Sequence, residues 1–198
     1  MALAQPIPRR EQILKLAAHL FSEKGYNGTS MQDLADGLGI LRGSIYAHID
    51  SKEDLLFEIV DRGADRFITR ITEVASSQGD PAEKLRAALL AHITTVAEHL
   101  DASTVFLNDW RLLSPDKKRK INNKRRRYEN VVESLICEGI ASGAFAPDLD
   151  ARFATLTFLS TVNWLYQWYD PDGQLTAQQV ANRFAEILIQ GFTNRRSL

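Results

Sequence analysis

Arg42, Gly43, Ser44, Tyr46 and His48 crowd one short stretch, and together they offer a forked cation, two hydroxyls, an imidazole and a bare glycine backbone. Those groups share one chemistry, hydrogen bonding to polar edges and phosphate oxygens. Ile45 is the only bulky apolar residue among them. A helix built there has a single anchor and a polar exterior, so it should face something polar.

Such a helix needs neighbours to hold it. Ile13, Leu14, Ala17, Leu20 and Phe21 recur at three- and four-residue spacing from Arg9 onward, which predicts a first helix ended by Gly25. Thr29 is expected to cap a second helix with Gln32 as its capping-box partner, and Gly39 to break it after Leu34, Ala35 and Leu38. Closing on Leu14, Ala17, Phe21, Leu34, Leu38, Ile40 and Ile45, three helices make a small helix-turn-helix domain over residues 1–50. Its third helix would be free to enter a DNA major groove.

The remaining chain, 51–198, is expected to form a helical ligand-binding and dimerisation domain. Ser51 with Asp54, and Asp80 with Pro81, open two further helices. A shorter helix from Asp101 or Ser103 should carry Phe106, Asp109, Trp110 and Leu113 on one face. Ser114-Pro115 opens the longest, running to Gly143 with Tyr128 inward. From Asp150 to Tyr169 one helix apolar on every side is expected, followed by a last helix capped by Thr176 and Gln179 with Ile187 on its aligned apolar face. A chain of 198 residues can hardly surround both of these, so they should meet their copies in a two-fold homodimer. The fold expected is all-α, with about nine helices.

Composition narrows the function. The net charge of -1 excludes wholesale coating of nucleic acid, so DNA binding must be local. No apolar run approaches the roughly 18 residues of a membrane span, and MALAQPIPRR lacks a secretion signal's apolar stretch, so a cytoplasmic location with no membrane partner is expected. The one cysteine, Cys137, is expected as a buried small hydrophobe beside Ile136. His19, His92 and His99 fall on separate helices without a nearby carboxylate, and neither a Gly-rich phosphate loop nor a nucleophile elbow occurs. An enzyme is therefore not expected, nor a metal or cofactor.

Four runs of residues now meet a known pattern. They are Ile13-Leu14-x-x-Ala17-x-x-Leu20-Phe21-x-x-x-Gly25-Tyr26, Thr29-Ser30-Met31-x-Asp33-Leu34-Ala35, Gly39-Ile40-x-x-Gly43-Ser44-Ile45-Tyr46-x-His48, and Ser51-Lys52-Glu53-Asp54-Leu55-Leu56. This span resembles the head of the TetR family of one-component repressors. Leu41 departs from the family's usual capping serine or threonine, and Ile49 from its phenylalanine. The resemblance implies a repressor that binds an inverted-repeat operator in double-stranded DNA as a dimer. It places Arg42 and Gly43 at base edges and backbone, Tyr46 one turn on, and Thr29, Ser44, His48 and Lys52 at phosphates. The other roles open to these side chains are a solvated charge for Arg42, and packing or capping for Tyr46 and His48.

Two faces in the body, Phe106, Asp109, Trp110, Leu113 and Phe153, Leu156, Ser160, Asn163, Trp164, Gln167, mix aromatics with a few polar groups. That suits an apolar small-molecule effector, and equally a plain core. The segment Asn163-Trp164-x-Tyr166-x-Trp168-Tyr169-x-Pro171-x-Gly173-x-Leu175-Thr176 resembles TetR-family regulators that answer to acyl-CoA thioesters in fatty-acid, phenylacetate or steroid-ring degradation. In the steroid-responsive branch an arginine precedes the tryptophan by one turn; Ser160 stands there, which favours a straight-chain or aromatic acyl group. The implied effector site comprises Phe106, Asp109, Trp110, Leu113, Tyr128, Asn163, Trp164 and Gln167. The run from Lys117 to Arg127 holds eight of the 24 cations, as a solvated face, a grip on CoA phosphates or an extra DNA contact. A multidrug-sensing repressor, with Asp109 facing a cationic dye, is the rival within the same fold.

Overall fold

Pro8 and Gly25 bracket the first helix, the glycine at φ +75°, where any other residue would be strained. In this computed structural model, which describes residues 7–193, nine α-helices and two 3₁₀ turns follow one another without a strand among the described residues. They are α1 (Arg9–Lys24), α2 (Met31–Leu38), α3 (Arg42–Tyr46), α4 (Lys52–Ser76), α5 (Pro81–Glu98), α6 (Leu100–Asn108), α7 (Pro115–Ala141), α8 (Ala151–Asn163) and α9 (Ala177–Thr193). The protein is all-α, as its periodicity requires. Most of the N-terminal stretch MALAQPIPRR, expected to carry no secretion signal, lies outside the described residues. No helix among the described residues is long and apolar enough to cross a membrane.

By packing, the chain forms two units. The first runs to Gly63 and takes in Asp101–Ile121; the second comprises Ala64–Leu100 and the chain from Asn122 on. In the first, α1 packs on α2 and α2 on α3 around Ile13, Leu14, Ala17, Phe21, Leu34 and Ile45, all buried. Leu38 and Ile40 are only half-buried at its margin. Arg62 of α4 grips Glu11 of α1 at 2.9 Å and Glu58 at 2.6 Å, and Arg10 adds a bond to Glu58.

In the second unit α5 lies along α9, because Ala181 and Ala185 are fully buried and let the helices approach. Gly139 serves the same end: a Cβ there would sit 2.2 Å from the Phe145 ring. Phe145 in turn packs edge-on against Phe192 at 5.8 Å. Three expectations need correction. The helix from Asp150 ends at Asn163 and tightens into a 3₁₀ turn at Leu165–Gln167, so the segment to Tyr169 is not one cylinder. Ile187 points outward, since α9 turns its alanine face, not this flank, to α5. Cys137 is exposed, one position past the buried Leu135 and Ile136 on α7.

Candidate functional site

The turn between α2 and α3 decides where the polar side chains point. Ser30, not Thr29, caps α2: its hydroxyl oxygen accepts from the Asp33 N–H at 3.1 Å while the Asp33 carboxylate accepts from the Ser30 N–H at 2.6 Å. Thr29 is buried, and its hydroxyl hydrogen faces the carbonyls of Leu20 and Gly25, each at 3.1 Å. It ties the end of α1 to the turn and leaves the set of expected phosphate contacts. Gln32 donates to Asp36 instead of closing a box. At the other end Gly39 adopts φ +64°, and its N–H donates to Asp36 O while that of Ile40 reaches Ala35 O. This left-handed cap swings the chain sharply into α3.

On α3 the single apolar anchor is fully buried, and Arg42, Gly43, Ser44 and Tyr46 stand exposed, with His48 just beyond. The Arg42 guanidinium rests on Tyr46, 5.9 Å from its ring and 3.4 Å from its hydroxyl. A Cβ added at Gly43 would meet nothing within 4 Å. Leu41 provides no side-chain cap, as its type requires. Lys52, opening α4, lies with its ammonium 4.2 Å over the Tyr26 ring, and desolvation lowers its pKa. The arrangement can present a forked cation, hydroxyls and an imidazole to base edges and phosphates at once.

The expected effector residues fall into two groups. Phe106, Asp109, Trp110 and Leu113 belong to the first unit, but not on one helical face, because α6 stops at Asn108 and Asp109–Leu112 form a 3₁₀ turn. Phe106, Asp109 and Leu113 are buried there, and Trp110 is half-buried under the Arg111 guanidinium at 4.8 Å. Asp109 accepts from the Tyr26 backbone N–H and, at 3.1 Å, from the Asn108 amide; desolvation outweighs both and raises its pKa. In the second unit Tyr128 is buried and Asn163, closing α8, half-buried. Trp164 is 61% exposed on one strip with Phe153 and Leu156, and Gln167 is exposed in the 3₁₀ turn. Trp164 and Gln167 are therefore surface residues of the single chain, Trp164 on the same exposed strip as Phe153 and Leu156 of α8.

Tyr128 has a partner that sequence reasoning passed over. His92 lies on the core stripe of α5 with Leu85, Leu89 and Val96, and its Nδ1 is 2.8 Å from the Tyr128 hydroxyl. Polar residues on an apolar stripe were the available signal. His19 also needs correction: its Nδ1 meets Asp101 at 3.1 Å, a carboxylate that further accepts from Ser22 at 2.8 Å. Within the cationic run Lys117 pairs with Asp54 at 2.6 Å, Arg119 with Asp116 at 2.6 Å and Lys124 with Asp65 at 2.8 Å, so three of its eight cations are matched by these carboxylates.

Residues 13–59 match the model for bacterial regulatory proteins of the tetR family, and residues 78–192 that for the tetracyclin repressor-like C-terminal domain. The chain belongs to the TetR family. This TetR-family regulator is 34% identical over 188 residues to the HTH-type transcriptional repressor KstR2 of Mycobacterium tuberculosis, 93% of each chain being covered. The solved structure of that ketosteroid transcriptional regulator matches it with a TM-score of 0.90 at 31% identity, over 98% of this chain and 100% of the other. The fatty acid metabolism regulator protein of Bacillus subtilis is 26% identical over 98% of this chain and 100% of its own. AibR, solved in complex with isovaleryl coenzyme A and operator DNA, matches with a TM-score of 0.82 at 30% identity over 92% and 98%. As a member of this repressor family the TetR-family regulator is a DNA-binding protein and not an enzyme.

Proposed function

We propose that this TetR-family repressor binds an inverted-repeat operator as a homodimer and is released from it by an acyl-CoA thioester. The observation that carries the proposal is the exposed Arg42 and Tyr46 above a fully buried Ile45, a polar flank set on a fixed anchor. Arg42 and Gly43 are assigned to base edges, and Ser44, Tyr46, His48 and Lys52 to the backbone. The strip Phe153, Leu156 and Trp164 is assigned to the dimer contact, since its 69%, 39% and 61% exposure in one chain would be costly in water.

Support for the effector class comes from AibR, whose complex holds isovaleryl coenzyme A and operator DNA on the same fold. The acyl group is assigned as straight-chain or aromatic, since Ser160 stands where the pattern of the steroid-responsive branch has an arginine. A cationic drug is a poor alternative, because Asp109, the anion it would need, is buried and already accepts two hydrogen bonds. The test is fluorescence anisotropy on an operator selected from random DNA. Lauroyl-CoA should weaken binding while free laurate does not; equal effects of both, or of neither, would refute the thioester.

A further inference from the structure

The pair His92 and Tyr128 forms a polar island in the second unit. His92 is 4% exposed, its ring lies 4.5 Å from that of Phe67, and Tyr128 meets the same phenyl edge-on at 6.3 Å. Burial drives the imidazole pKa down to about 3 and the phenol pKa up, so both groups are neutral at physiological pH. Two tautomers are then open. If Nδ1–H donated to the Tyr128 oxygen, both the Tyr128 hydroxyl hydrogen and the Nε2 lone pair would lack partners. If the Tyr128 hydroxyl donates to Nδ1, the group left over is Nε2–H, which is buried with no partner among the described residues. Fewer orphans favour the second, and a buried orphan donor marks a place where an acceptor belongs.

The acceptor's chemistry is constrained. A carboxylate would have to shed its water beside a phenyl ring and an uncharged imidazole, which is unfavourable, whereas a carbonyl oxygen accepts one hydrogen bond at little desolvation cost. We infer that His92 Nε2–H is the donor to the carbonyl oxygen of the effector's acyl thioester, with Tyr128 fixing the tautomer. This rests on the proposed acyl-CoA response and deepens it: a neutral donor in an apolar setting separates a thioester from the free fatty-acid anion.

The experiment uses the full-length protein, with lauroyl-CoA as probe. For each variant the lauroyl-CoA concentration that half-releases operator is read against that variant's own effector-free binding. H92F exchanges the orphan Nε2–H for a Tyr128 hydroxyl that has lost its acceptor, so its melt should stay near that of the wild type, and it should need about 10-fold more lauroyl-CoA or beyond. Y128F should need an intermediate amount. In ¹⁵N-histidine-labelled wild type, the His92 Nε2 resonance should move on saturation with lauroyl-CoA. An unchanged requirement in H92F, or an unmoved Nε2 resonance in a wild type that releases operator, overturns the inference and leaves a buried water as the partner. A wild type indifferent to lauroyl-CoA overturns the acyl-CoA proposal first and this inference with it, so the two failures are told apart by the wild type alone. Were H92F not to fold, the wild-type resonance decides.

Discussion

Replacing Arg42 with alanine separates fold from readout, because the side chain is exposed and its polar contact is with the neighbouring Tyr46. Its guanidinium stands 5.9 Å from that ring in an exposed position, an interaction of about 0.5–1 kcal/mol at most. Thermal stability should therefore barely move. On operator DNA the loss is of another size. A bidentate contact to guanine O6 and N7 discriminates by about 1–3 kcal/mol, and a two-fold dimer makes it twice, so about 2–6 kcal/mol is at stake. At about 1.4 kcal/mol per factor of ten, operator affinity should fall by between roughly 30-fold and 10⁴-fold. Affinity for scrambled DNA should fall far less. Anisotropy titrations between about 50 and 200 mM salt distinguish the roles, since a lost phosphate contact flattens the salt dependence by about 0.9 per site and a lost base contact leaves it steep. An equal loss on operator and scrambled DNA with a flatter slope would make Arg42 a backbone clamp. No loss at all would mean that α3 does not read the groove.

Three further outcomes follow from named contacts. Ser30→Ala should destabilise the protein by about 1 kcal/mol in urea melts, and Gln32→Ala hardly at all, the reverse of what a Thr29–Gln32 box would give. Asp54 is held below the usual carboxylate range by its bonds from Lys117 and Ser51, and Glu53 by the Ser114 backbone N–H. A carboxyl whose pKa is lowered on folding gives stability that is present above about pH 4 and lost as pH falls through the lowered value, so Lys117→Met should flatten the acid limb of stability against pH, checked by melts between about pH 2 and 7. Phe153→Asp should convert a dimer to monomers in sedimentation velocity and weaken operator binding; an unchanged dimer would place the contact elsewhere.

Caps, breakers and periodicity made most of the architecture legible. Gly25, Gly39, Pro81 and the Thr176–Gln179 box each stand where the sequence puts them. What misled was local ambiguity. Thr29 and Ser30 are both capping types, and only packing of Thr29 under the end of α1 decides between them. Spacing along Phe106, Asp109, Trp110 and Leu113 fits a helix until the chain tightens at Asn108, which a four-residue pattern does not register. The exposed flank of α3 could be read because one isoleucine among polar residues leaves a helix a single way to face inward. The His92–Tyr128 bond could not, since it joins residues 36 apart and periodicity gives a stripe without its neighbours.

The first unit also bears on how an effector could be felt by the head. Asp109, in the 3₁₀ turn after α6, accepts from the Tyr26 N–H beside the end of α1. Glu53, in the first turn of α4, accepts from the Ser114 N–H at 2.7 Å, and Phe106 approaches so closely that a Cβ at Gly63 would lie 3.1 Å from its own. The stretch from Phe106 to Ser114 is thus joined to the chain just after α1 and to α4 by two hydrogen bonds to carboxylates and one tight apolar contact. A 100-fold release of operator needs a coupling of about 2.7 kcal/mol. One hydrogen bond to a charged group contributes about 1.5–3 kcal/mol, so loss or strain of one or two of these ties is enough. If an acyl-CoA does release the operator 100-fold, no large rearrangement of the head is required, and by reciprocity operator DNA weakens that effector by the same factor.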